Sequence, residues 1–116
     1  MIEYNEEYDA YVIEFEDAVI CMEDEPDDSF IQTAEEVRNA YLNNIRHIGQ
    51  AIYDEVKDIF DVTDENDVIS KLGKPAIYPD NGQVSYFSHS FDDMHIISFE
   101  YLDDEFNDIH YVTIDG

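Results

Sequence analysis

The chain has 116 residues, enough for one domain, and 44% apolar and 14% aromatic side chains, enough for a packed core. Thirty Asp and Glu stand against five Lys and Arg, a formal charge of −25. That charge excludes binding bare nucleic acid or an anionic membrane through a basic patch, and one cysteine excludes an intrachain disulfide or a multi-cysteine zinc site. With no basic-then-apolar leader and no apolar run near 18 residues, the sequence reads as a soluble, cytoplasmic protein.

Residues 8–23 fit either two strands or one helix. Tyr11, Ile13 and Phe15 alternate with Val12, Glu14 and Glu16, Val19 to Met22 is a second apolar run, and the β-branched content favours a hairpin turning at Glu16-Asp17. Glu23 to Asp28 holds Pro26 among five acids and reads as a loop, with Asp28 or Ser29 able to cap a helix beginning at Phe30. From Phe30 to Phe60 one stripe runs through Ala34, Val37, Tyr41, Ile45, Ile48, Ile52, Val56 and Ile59, predicting one long helix. Glu35 and Glu36 fall in its first turns, where they complement the helix dipole, and Gly49 marks a kink or a close approach. A short second helix starts at a capping pattern, Thr63 to Asn66 or Asp64 to Asp67, and stops at Gly73 before Pro75.

Strands come next at Ala76–Tyr78, Val84–His89, His95–Leu102 and Asp108–Ile114. Asp80-Asn81-Gly82 makes a hairpin turn, and Phe91 to Asp93 a second one. The order ββααββββ predicts a single α+β domain, with an antiparallel sheet of five to six strands packed on a long helix and a short one.

The charge is segregated along the chain. Residues 1–30 hold 12 acids and no base, residues 31–74 hold 9 acids and all 5 bases, and residues 75–116 hold 9 acids and no base. A net charge of magnitude about 2 to 8 already keeps a small domain soluble, so the surplus asks for another use. Clusters at Glu23-Asp24-Glu25 with Asp27-Asp28, at Asp92-Asp93, and at Asp103-Asp104-Glu105 with Asp108 sit on predicted loops. Loops at one end of a sheet can converge into one negative surface, which suits fast association with a basic protein partner. Candidate partner-binding residues are Asp92, Asp93, Asp103, Asp104 and Glu105, with Tyr86 as an aromatic anchor.

No motif carries chemistry. Phosphate loops, dinucleotide fingerprints, nucleophile elbows and EF-hand spacings are missing, which predicts neither an enzyme nor a cofactor. His89, His95 and His110 fall on strands without metal-ligand spacing, and Cys21 lies in an apolar run; all four read as structural.

From Val68 to Gly116 the chain reads Val-Ile-Ser-Lys-Leu-Gly-Lys-Pro-Ala-Ile, then Asp-Asn-Gly, then Val-Ser-Tyr-Phe, then His95-Ile96-Ile97, and closes Val-Thr-Ile-Asp-Gly. This half resembles small bacterial domains akin to toxin-immunity proteins, which share the helix–strand–hairpin plan, the His-hydrophobic-hydrophobic strand and the Ile-Asp-Gly close. The resemblance implies an inhibitor that neutralises a cognate toxin and carries over no active-site residue. With the charge, it makes the expected function the plugging of a basic cleft, that of a nuclease first. The alternative is a DNA mimic that blocks a DNA-binding defence protein, which requires acids strung at phosphate spacing.

Overall fold

A computed structural model describes residues 2–87, 89–91, 95–103, 106 and 108–115. Seven strands form one sheet in sequence order: β1 (Glu3–Asn5), β2 (Ala10–Glu14), β3 (Val19–Met22), β4 (Ala76–Tyr78), β5 (Gln83–Tyr86), β6 (Ile96–Tyr101) and β7 (Ile109–Asp115). Every pair is antiparallel except β3–β4. A parallel pair needs a crossover, and three helices supply it: α1 (Phe30–Asn43), α2 (Ile45–Val56) and α3 (Glu65–Lys71). The α+β class holds. The sheet has more strands than the five to six expected, and it is not wholly antiparallel.

The hairpin reading of residues 8–23 holds, with Ile13 opposite Ile20 and Val12 opposite Cys21. β1 adds an edge that the pattern of Glu3-Tyr4-Asn5 did not announce.

The expected long helix is two helices, and the break is at Asn44 rather than Gly49. Asn44 has φ −119° and ψ 18°, and its side-chain amide donates to the Ala40 carbonyl at 3.1 Å. That carbonyl is the one its own backbone N–H would take in a continuous helix, so the side chain displaces the ladder. Because α2 ends at Val56, Ile59 leaves the stripe and is 60% exposed. Gly49 is where α3 comes close. A Cβ there would lie 2.6 Å from Ile69 Cγ1.

Capping also departs in detail. Ser29 stands at the N-cap of α1 but makes no side-chain cap bond, its hydroxyl turning back to Asp27 Oδ1, and the first turn of α1 holds no acid. At α3 the capping pattern forms as expected: Asp64 accepts from the Asp67 N–H, and Asp67 Oδ2 accepts from the Thr63 N–H. In the turn after β4, Gly82 takes the positive φ of 61° and Asn81 does not, because the loop spans Pro79 to Gly82 rather than two residues.

The helices cover one face of the sheet. Ile20, Ile77, Val84, Tyr86, Ile97 and Phe99 from that face join Phe30, Ala34, Tyr41, Ile48, Ile52, Val56 and Val68 from the helices in one core. On the other face Ala10, Val12, Val19, Cys21 and Ala76 form a separate cluster made of strand residues. Tyr8 and Tyr78 pack over it, the Tyr78 hydroxyl donating to the Tyr8 carbonyl at 3.3 Å. No helix among the described residues is long and apolar enough to cross a membrane.

Candidate functional site

Strand order decides which loops meet. In consecutive antiparallel strands, successive connections leave from alternate ends of the sheet. The parallel β3–β4 pair puts the exits of β3 and β4 at the same end. Four connections therefore leave from one end: β1–β2 (residues 6–9), β3–α1 (residues 23–29), β4–β5 (residues 79–82) and β6–β7 (residues 102–108). Their sequences include Glu6, Glu7, Asp9, Glu23, Asp24, Glu25, Asp27, Asp28, Asp80, Asp103 and Asp108, with no lysine or arginine.

One hydrogen bond joins two of these connections, and others fix single connections in place. Asn81 Nδ2 donates to Glu23 Oε1 at 2.6 Å, and the Tyr101 N–H donates to the Gly82 carbonyl at 2.9 Å. Asp103 Oδ1 accepts the Asp108 N–H at 3.2 Å. The N-terminus of α1 opens into the same end, and its dipole offsets part of the mutual repulsion of the acids. The Ser29 hydroxyl and N–H hold the Asp27 carboxyl below its ordinary value. Two clefts of about 220 Å³ open there. One lies between α1 and the later loops, lined by Thr33, Glu36, Val37, Pro79, Tyr101 and Phe106; the other runs under Pro26 from Met22 to Thr33.

The bases lie elsewhere. Arg38, Arg46, Lys57 and Lys71 belong to the helical layer, and none of the seven described strands contains a Lys or Arg. Arg38 pairs with Asp17 at 2.8 Å, Lys71 with Asp67 at 3.3 Å and Lys74 with Glu14 at 2.9 Å. Asp17 and Glu14 mark the end of the sheet opposite the four acidic connections.

Of the expected partner-binding residues, Asp92, Asp93, Asp104 and Glu105 lie outside the described residues. Asp103 is described, is partly exposed and belongs to an acidic-end connection. The β5–β6 connection leaves from the other end of the sheet. The β5–β6 and β6–β7 connections thus start from opposite ends of the sheet.

Tyr86 is corrected outright. It is fully buried on the helix-facing side of β5, and its hydroxyl pairs with that of Tyr41 at 2.5 Å. It offers no surface to a partner. Parity decides this: Val84 and Tyr86 face the helices, while Gln83, Ser85 and Phe87 face away. The neighbouring aromatic, Phe87, is the one turned outward, 46% exposed.

The histidines have structural partners. His89 Nε2 donates to the His95 carbonyl at 2.6 Å while its Nδ1 accepts the Phe91 N–H at 3.2 Å. His110 Nε2 bonds Asp108 Oδ1 at 2.6 Å. Among the described residues, no group of three His, Cys, Asp or Glu side chains is placed to hold a metal ion.

Sequence reasoning missed the β1–β2 acids, Glu6, Glu7 and Asp9, because β1 carries no recognisable period. It also missed the sheet face turned away from the helices. The chain matches no protein-family model, no curated protein and no solved structure.

Proposed function

We propose that the protein is an immunity-type inhibitor that binds a cognate bacterial toxin, a nuclease by its chemistry, and neutralises it through an acidic surface. The observation that carries this reading is the gathering of four lysine- and arginine-free acidic connections at one end of the sheet, with the bases on the helical layer or paired at the far end. A nuclease must keep a basic cleft to hold phosphate, and a cap of carboxylates competes with substrate there. The resemblance of residues 68–116 to small bacterial domains akin to immunity proteins supports the same reading. The DNA-mimic alternative needs acids in parallel rows along an extended surface; loops converging over one sheet end make a cap rather than a ruler.

The test is co-expression with the protein encoded by the neighbouring reading frame. The expected result is rescue of growth and, with purified components, stoichiometric loss of nuclease activity that weakens as salt rises. Growth arrest and nuclease activity unchanged by the chain would reject the reading.

A further inference from the structure

The two edges of the sheet are built differently. β1 is three residues long and opens on Glu3, a short acidic edge of the kind that discourages further pairing. β7 runs for seven residues, Ile109–Asp115, with three β-branched side chains in succession from Val112 and no proline. Among the described residues β6 is its one strand neighbour, and no backbone bond from a described loop or helix reaches it. Alternate N–H and C=O groups on its outer side are therefore left to solvent. The core is unfinished at the same place. On β5 and β6 the helix-facing Val84, Tyr86, Ile97 and Phe99 are buried. On β7, Ile109, Val112 and Ile114 pack against that core and stay only partly buried. A bulge shapes this edge. His110 stands opposite Glu100 and Thr113 opposite Ser98, so Tyr111 and Val112 share the place opposite Phe99. Tyr111 takes φ 53°, a left-handed conformation rare for so bulky a side chain, and is 72% exposed.

We propose that the outer edge of β7 takes an extended, basic segment of the partner protein as an added strand. The proposal rests on the inhibitor reading and names how the partner is held once the acidic end has drawn it in. An open strand edge selects a strand, because extended backbone presents donors and acceptors at the matching spacing. Charge selects a basic one. β6 and β7 carry no lysine or arginine, Glu100 stands in register with His110, and Asp103 and Asp108 lie in the connection that leads into β7. β7 starts from the acidic end, so an antiparallel addition runs toward that end. Lysines or arginines that follow the added strand then fall beside Asp103 and Asp108. Tyr111 serves as an aromatic anchor, and the added backbone covers the open flank of Val112 and Ile114. A second copy of this chain is a poor occupant, since it would bring the same carboxylates and no strand lysine or arginine.

The probe is a peptide of about ten residues, threonine and valine alternating and lysines at its C-terminal end. It is added to the full chain, and amide hydrogen exchange is followed by NMR. In the free chain, alternate amides of residues 112–115 should exchange freely. The peptide should slow those amides at least about tenfold. Affinity should fall at least about tenfold for a peptide methylated on alternate backbone nitrogens, which cannot donate to the edge. It should fall at least about fivefold in Tyr111→Gly, a change that keeps the fold because glycine takes this φ freely. Glu55→Lys on the helical layer should leave it unchanged. Protection of every amide from 112 to 115 in the free chain, shifts centred on the helices, equal binding by the methylated peptide, or a dimer in sedimentation that protects the same amides would each overturn it. If wild type and Tyr111→Gly neutralise the toxin equally and the peptide leaves β7 exchange unchanged, the edge proposal fails and the inhibitor reading stands. If the peptide slows β7 as expected and no toxin is neutralised, the converse holds.

Discussion

Tyr41 and Tyr86 place two hydroxyls in the core, 2.5 Å apart, and burial raises both phenols above their ordinary value. Each is the other's partner. Tyr86→Phe should therefore cost about 1–3 kcal/mol in urea unfolding, because it strands the Tyr41 hydroxyl. Adding Tyr41→Phe should cost less than a second such loss, as a double-mutant cycle would read. Cys21 is a second residue settled by burial, which pushes its thiol up to about 12 and leaves it protonated at neutral pH. Native protein should resist iodoacetamide, and labelling should appear only as urea unfolds the chain; rapid labelling of the folded protein would contradict its place in the core. Asp17 is held below the ordinary carboxylate value, first by its hydrogen bonds to Arg38. A depressed folded value means the pair stabilises above the unfolded value and loses that contribution as pH falls through the folded one. The pair is about one third exposed, so Asp17→Asn should cost under about 1 kcal/mol at pH 7. Its difference from wild type should begin to shrink as pH drops below about 4 and vanish only below the depressed folded value, as urea titrations would read.

At the level of elements, most of the fold was legible because its periodicities are strong. The 3.6-residue stripe announced α1 and α2 and period two announced β2, while α3 ends at Lys71 with an extended Leu72 as its C-cap, ahead of the expected stop at Gly73. What the stripe could not show was the break at Asn44, since an apolar stripe continues across it. Competition between an asparagine amide and the backbone ladder is a local bond that leaves the pattern intact. β1 was illegible because three residues with one aromatic carry no period. Gly49 shows how packing overrides propensity. Alanine is the better helix former, yet Gly49→Ala should destabilise by about 1–3 kcal/mol in urea unfolding, as its Cβ would press on Ile69 and approach the Glu65 carbonyl at 3.3 Å. Ile69→Ala should recover most of that loss in the double variant. A stabilised Gly49→Ala would mean that α3 does not pack on α2 at this point.

For the molecule as a whole, a charge of −25 on 116 residues sets the terms. Self-repulsion opposes folding, and added salt screens it, since the Debye length falls from about 30 Å at 0.01 M to about 3 Å at 1 M. The melting temperature should rise by about 5 °C or more between low and high sodium chloride. A flat response would mean that repulsion contributes little. The amount of acid was plain in the sequence, and its placement was not. Whether a loop joins the acidic end depends on counting strand reversals, and the parallel β3–β4 pair changes that count. This is why Asp103 joins Glu23 and Asp80 while the β5–β6 connection leaves from the other end. The row of small side chains on the sheet face turned away from the helices was hidden for a related reason: Ser85, Ser98 and Thr113 become neighbours only once register is known. The most direct test of the docking end is the association rate with the neutralised toxin, measured by stopped flow from low to physiological salt. The wild-type rate should fall steeply with salt. Glu6→Gln, Asp24→Asn, Glu25→Gln and Asp80→Asn together should slow association and flatten that dependence, while Glu35→Gln, Glu55→Gln, Asp58→Asn and Asp61→Asn together should leave it near wild type. Equal slopes for the two quadruple variants would contradict an acidic docking end.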